Sequence, residues 1–139
     1  MTKISIVSGY FDPLHIGHIE YLELAKKQGE YLVVIVNNDK QAKLKKGKSF
    51  MSEQDRCRII LSLGIVDEVI LSCNTDKYID DSIEKVVQFH NDAEFIFCNG
   101  GDRNIEESPE TEICKKLGIK MIDGLGKKIR SSRDFTGLK

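Results

Sequence analysis

No stretch of this 139-residue chain approaches the ~20 consecutive apolar residues that a bilayer-spanning helix needs. A transmembrane segment is therefore not expected. The chain also lacks an excess of either charge: 21 Lys and Arg stand against 22 Asp and Glu, for a net charge of −1. Without a basic surplus there is no general attraction to nucleic acid or to a membrane surface, and neither partner is expected. The four cysteines, Cys57, Cys73, Cys98 and Cys114, contain no C-x-x-C pair, which argues against a zinc ribbon or a dithiol redox centre. Each stands in or beside apolar residues and is expected as a reduced, mostly buried small hydrophobe. There are only two prolines and no repeat, linker or low-complexity stretch. Met1-Thr2-Lys3-Ile4 leads straight into an apolar run with no signal peptide, which predicts a cytoplasmic protein. Residues 1–139 are expected to form one domain around one core.

Apolar runs alternate with helical patterns along the whole length. Strands are predicted at residues 3–8, 31–37, 68–72, 94–98 and 119–122. The second of these, Tyr-Leu-Val-Val-Ile-Val-Asn, is a continuous β-branched run of the kind covered on both faces in a parallel sheet. Helices are predicted at residues 18–29, from Ser52 to a stop at Gly64, at 79–91, and from Ser108-Pro109 to Gly118. The alternation predicts an α/β, Rossmann-like three-layer sandwich with a mainly parallel five-stranded sheet in the order 3-2-1-4-5. Ligands in such sheets bind at the carboxyl ends of the strands, near the switch point. Residues 9–18, 37–48 and 99–104 all leave strand ends there, and residues 37–48 are expected as a charged loop.

The first of these segments reads Gly9-Tyr10-Phe11-Asp12-Pro13-Leu14-His15-Ile16-Gly17-His18. Gly9 lets the chain leave the strand without a Cβ, and Gly17 opens a helix whose N–H groups attract phosphate. Two imidazoles flanking that glycine can both donate to one anion. Metal ligation by the pair is the alternative, but no third ligand is placed in sequence to close a shell. Asp12 either orients a histidine or caps the turn, and Tyr10 and Phe11 either wall a pocket or pack the core. Lys40, Lys43, Lys45, Lys46 and Lys48 crowd the second segment; a solvated charge run is the ordinary explanation, and a phosphate-binding cluster the functional one. Arg56 either reaches phosphates or anchors the loop through an ion pair. In the third segment Gly100 and Gly101 permit close backbone approach, and Asp102 can accept from hydroxyl groups. His90 is expected at a helix surface, away from these loops.

His15-Ile16-Gly17-His18 resembles the H-x-G-H signature of the cytidylyltransferase-like nucleotidyltransferases, and the likeness runs over nearly all of the chain. Lys46-Gly47-Lys48-Ser49-Phe50 followed by Glu53-Gln54-Asp55-Arg56 is similar to the K-G-K…E-x-R stretch of glycerol-3-phosphate cytidylyltransferases. Gly100-Gly101-Asp102 is similar to a word in heptose-1-phosphate adenylyltransferase domains. Residues 126–133 lie where the family has R-T-x-G-I-S-T-T. Setting Ile129 on the motif's Ile puts Ser131 and Ser132 on its Thr pair, while Leu125, Lys128 and Arg130 depart from it.

The resemblance implies an enzyme that transfers a nucleoside monophosphate from CTP or ATP to a small sugar- or polyol-phosphate and releases pyrophosphate. It implies Mg²⁺ on the triphosphate and a homodimer. His15, His18 and Lys46 would be catalytic. Gly9, Tyr10, Phe11, Gly17, Gly100, Asp102, Arg130, Ser131 and Ser132 would bind the nucleotide, and Asp12, Lys45 and Arg56 the acceptor. A non-catalytic nucleotide-binding regulatory module on the same fold is the rival reading.

Overall fold

The computed structural model describes residues 2–100 and 109–125. Five strands, β1 (Thr2–Gly9), β2 (Tyr31–Val36), β3 (Glu68–Leu71), β4 (Ala93–Gly100) and β5 (Lys120–Leu125), form one sheet in the order β3-β2-β1-β4-β5. Every neighbouring pair is parallel, with Ile4 opposite Tyr31 on one side of β1 and opposite Phe95 on the other. The helices are α1 (Ile16–Lys27), α2 (Asp39–Lys46), α3 (Glu53–Leu61), α4 (Asp80–Phe89) and α5 (Thr111–Leu117).

The alternation of side chains along each strand divides the core between the two faces of the sheet. Ile4, Ile6, Val33, Ile35 and Phe97 pack with Ile79, Ile83 and Val86 beside α4 and with Ile113 and Cys114 of α5. Val7, Leu32, Val34, Val36 and Cys98 pack with Leu22 and Ala25 of α1 and Ile60 of α3. Thus α1 and α3 cover one face and α4 and α5 the other. Strand β2, buried from Leu32 to Val36, has the two-sided burial that its unbroken apolar run requires. The chain runs outward from β1 to β3, then crosses back to β4 on the far side of β1. The order of the strands reverses at β1 and β4, the switch point at whose carboxyl ends ligands bind in doubly wound sheets.

Two expectations are corrected. Residues 37–48 are not simply a loop, since Asp39–Lys46 is helical. Asn38 accepts from the Gln41 amide while the Gln41 side chain accepts from the Asn38 amide, and Gly47 ends the helix at φ 82°. Lysines in the last turn sit favourably at the negative end of the helix dipole. The cysteines are less uniformly buried than expected: Cys98 and Cys114 are buried, Cys57 is half-buried and Cys73 is exposed. Burial pushes the thiols of Cys98 and Cys114 up to about 12, so both stay protonated and inert. Among the described residues no helix is long and apolar enough to cross a membrane.

Candidate active site

His15 is the N-cap of α1, and His18 is the third residue of that helix. The Gly17 amide donates to Nδ1 of His15 at 3.1 Å, and the His15 amide donates to Nδ1 of His18 at 3.2 Å. Each ring therefore satisfies an N–H that the first helical turn would otherwise leave without a partner. The chemical consequence is a fixed tautomer. A nitrogen that accepts from an amide bears no proton, so in each neutral ring the proton sits on Nε2. The rings stack with centroids 4.0 Å apart and planes 26° apart. Burial, then the neighbouring His15, then Lys46 push His18 down to about 3, so it is neutral at physiological pH.

The floor beneath His18 is Phe11. Its ring is buried, meets the His18 ring edge-on with centroids 5.0 Å apart, and fills the space where a Cβ on Gly9 would come within 3.0 Å. Phe11 adopts φ 52°, an uncommon backbone conformation for a bulky residue. Of the two roles open to Phe11, the structure shows core packing. Gly100 admits an aromatic ring in the same way: a Cβ there would lie 2.8 Å from Tyr21, whose hydroxyl donates to the Cys98 carbonyl. The glycine at this strand end accommodates Tyr21 of α1.

Asp12 and Arg56 brace the loops around the histidines. The Asp12 carboxylate is buried and accepts from the Phe50 and Met51 amides at 2.6–3.1 Å, which pins the segment between α2 and α3 beneath the histidine loop. Lys46 Nζ donates to the Asp12 carbonyl at 2.5 Å and stands 3.5 Å from its carboxylate. Arg56 is wholly buried. Its guanidinium donates to the carbonyls of Tyr10 (2.7 Å), Asn37 (2.6 Å) and Met51 (3.1 Å) and to the Asp39 carboxylate (2.7 Å). It ties the ends of β1 and β2 to the loop before α3. Burial works to raise the Asp39 carboxyl, but Arg56 and the other hydrogen bonds outweigh it and hold Asp39 below the ordinary range.

A cleft of about 720 Å³ opens beside the histidine pair, lined by Ser8, Gly9, Tyr10, Asn37, Gln41, Leu44, Lys45, Lys77, Tyr78, Pro109 and Glu110. Neither histidine lines it. The cleft borders the starts of α4 and α5, on the sheet face opposite α1. The lysine cluster is divided accordingly. Lys46 stands near His18 and Asp12, while Lys45 lines the cleft with its ammonium 4.6 Å above the Tyr10 ring. Tyr10, half-buried, is thus a wall of the pocket. Lys40, Lys43 and Lys48 are exposed. His90 lies at the far end of the sheet, 2.9 Å from the Glu68 carboxylate.

Asp102, Arg130, Ser131 and Ser132 lie outside the described residues. The sequence reading missed Ser8, Asn37, Gln41, Lys77, Tyr78 and Glu110. Only Gln41 had a usable signal, the Asn-x-x-Gln capping pattern. Lys77, Tyr78 and Glu110 reach the cleft through tertiary folding that no local motif marks.

A cytidylyltransferase-like family model matches residues 6–122. An FAD synthase of Ferroglobus placidus is 39% identical over 120 residues, covering 86% of this chain and 72% of that protein. A bifunctional protein HldE of Aliarcobacter butzleri is 32% identical over 125 residues, and the match spans 25% of its length. The crystal structure of a lipopolysaccharide core biosynthesis protein from Thermoplasma volcanium superposes with a TM-score of 0.68 at 31% identity, covering 88% of this chain and 96% of that one.

Proposed function

The chain belongs to the cytidylyltransferase-like family of nucleotidyltransferases, and from that premise we propose that it transfers adenylate from ATP to a small sugar- or polyol-phosphate, releasing pyrophosphate. The observation that carries this reading is the stacked pair of His15 and His18 rings, each with Nδ1 occupied by a backbone amide, with the Lys46 ammonium close by. Neutral donors held by the helix cap need no reorganisation as charge builds on the departing phosphates.

An acceptor phosphate is already ionised at neutral pH, so its oxygen attacks the α-phosphorus without a general base. The new O–P bond forms as the bond to the β-phosphate oxygen breaks, and the electron pair leaves with pyrophosphate. His15 and His18 would donate to the α- and β-phosphate oxygens, Lys46 would bridge the two substrates, and Lys45 would hold the acceptor phosphate in the cleft. Among the described residues no group of three His, Cys, Asp or Glu side chains suits a metal ion. Mg²⁺ on the triphosphate would supply charge neutralisation there.

ATP is favoured over CTP because FAD, the product in the name of the Ferroglobus placidus relative, contains adenylate. The polar residues of the cleft, Ser8, Asn37, Gln41 and Glu110, suit a hydroxyl-rich acceptor. Flavin mononucleotide, itself a ribityl phosphate carrying a flavin, is the second reading. The FAD synthase relatives favour it, and Tyr10, Leu44 and Tyr78 offer apolar surface to a ring.

Pyrophosphate release with Mg²⁺, crossing ATP and CTP against glycerol-3-phosphate, heptose-1-phosphate and flavin mononucleotide, tests the proposal. A signal requiring ATP and a sugar- or polyol-phosphate is expected. Turnover confined to flavin mononucleotide would select the second reading. No release with any acceptor, while ATP still raises the melting temperature, would favour a regulatory nucleotide-binding module. The homodimer implied by the family likeness is checked by sedimentation.

A further inference from the structure

We propose that the outward face of α3 is a self-association surface, on which a second copy of this chain packs its own α3 antiparallel about a two-fold axis. The inference is independent of the reaction assigned to the cleft, and it names the residues through which two copies meet.

Met51, Asp55, Arg58, Ile59 and Ser62 line an open groove of about 310 Å³. From Met51 through Asp55 and Arg58 to Ser62 the steps are four, three and four, the spacing of the seam along which two helices meet. Arg56 and Ile60 point the other side of the helix into the core, so this stripe is the outer one. Ile59 is 42% exposed and its neighbour Leu61 55%, which adds apolar area to the seam and its rim. Asp55 and Arg58 are both exposed, and among the described residues neither forms an ion pair.

Symmetry identifies the occupant. In an antiparallel pair related by a two-fold axis, every contact occurs twice with the roles exchanged. An axis passing midway between Arg56 and Cys57 sets Asp55 of each copy against Arg58 of the other, and Met51 of each against Ser62 of the other. The stripe is thus complementary to itself in charge. A nucleic acid or an anionic surface would meet Asp55 beside Arg58 and gain nothing from the pair. Two exposed ion pairs add little affinity, but they fix the register, since a parallel or shifted pairing brings like charges together. Met51 orders one end of the seam in advance: its amide donates to Asp12 and its carbonyl accepts from Arg56, so the surface is continuous with the brace beneath the histidine loop. A stable dimer buries roughly 800 Å² on each side. A nine-residue helix and its rim offer less, so association is expected to be reversible and micromolar.

Sedimentation equilibrium of the full chain over roughly 1–300 µM, the range of a small interface, tests this. Wild type is expected to form a reversible dimer. Asp55→Arg and Arg58→Asp, each checked for folding by circular dichroism, should each weaken self-association at least about tenfold, because four like charges then face one another. Mixed in equal amounts, the two variants should form a heterodimer, since each supplies at both contacts the charge that the other lacks. The double variant Asp55→Arg/Arg58→Asp should dimerise as wild type does, and it serves if either single variant does not fold. A wild type that stays monomeric throughout the range would overturn the inference. So would single variants that dimerise as tightly as wild type, which would place the contact elsewhere, or variants that remain monomeric both on mixing and on double exchange.

Discussion

At His18 the nitrogen that faces the backbone decides what the other nitrogen can do. Nδ1 accepts from the His15 amide, so protonating the ring would break a helix cap as well as charge a buried group. The ring should therefore stay neutral across roughly pH 5–8, with the proton on Nε2. Nitrogen-resolved NMR of the imidazoles would show this directly; a His18 ring titrating near its ordinary value of 6.5 would contradict it. The stability consequence has a definite sign. Because the folded-state value of about 3 lies below 6.5, the neutral ring's contribution is complete above pH 6.5. It is lost progressively as pH falls from there toward 3, where the unfolded chain binds the proton and the folded one resists it. The stability difference between wild type and His18→Gln, followed by urea unfolding, should be flat above pH 7 and shrink below about 6.5.

At the scale of elements, Arg56 of α3 couples four parts of the chain. It satisfies carbonyls at the ends of β1 and β2 and in the segment before its own helix, and neutralises Asp39 of α2. Arg56→Met is expected to cost about 3–5 kcal/mol, because it leaves buried acceptors and a carboxylate without their donor. Arg56→Lys should recover little of this, since a single ammonium cannot span four acceptors set around a planar guanidinium. Denaturant melts of both variants check the ranking.

The same elements show where sequence was informative. Strand β2 and its order in the sheet were legible because burial on both faces demands an unbroken apolar run. Helix α2 was hidden because four lysines mask its pattern, although Asn38, Gln41 and Gly47 carry its boundaries. The placement of the histidine pair around Gly17 at the start of α1 was legible from the sequence. The role of Arg56 was not, because burial depends on residues far away in sequence. Glu110 was invisible for the same reason: its Ser8 neighbour lies 102 positions away.

Over the whole molecule, the two halves of the site lie on opposite faces of one sheet and meet at the end of β1. The histidines begin α1 on one face; the cleft borders the starts of α4 and α5 on the other. A nucleotide held by Nε2 of both rings and an acceptor held in the cleft would approach the α-phosphorus from opposing directions. The departing group then leaves along the line of attack. That arrangement has a handedness that can be measured. With ATP carrying one sulfur on the α-phosphorus, the product should emerge with the opposite configuration at that centre, as a single displacement requires. Retained configuration would mean two displacements, and so a covalent adduct on the chain itself.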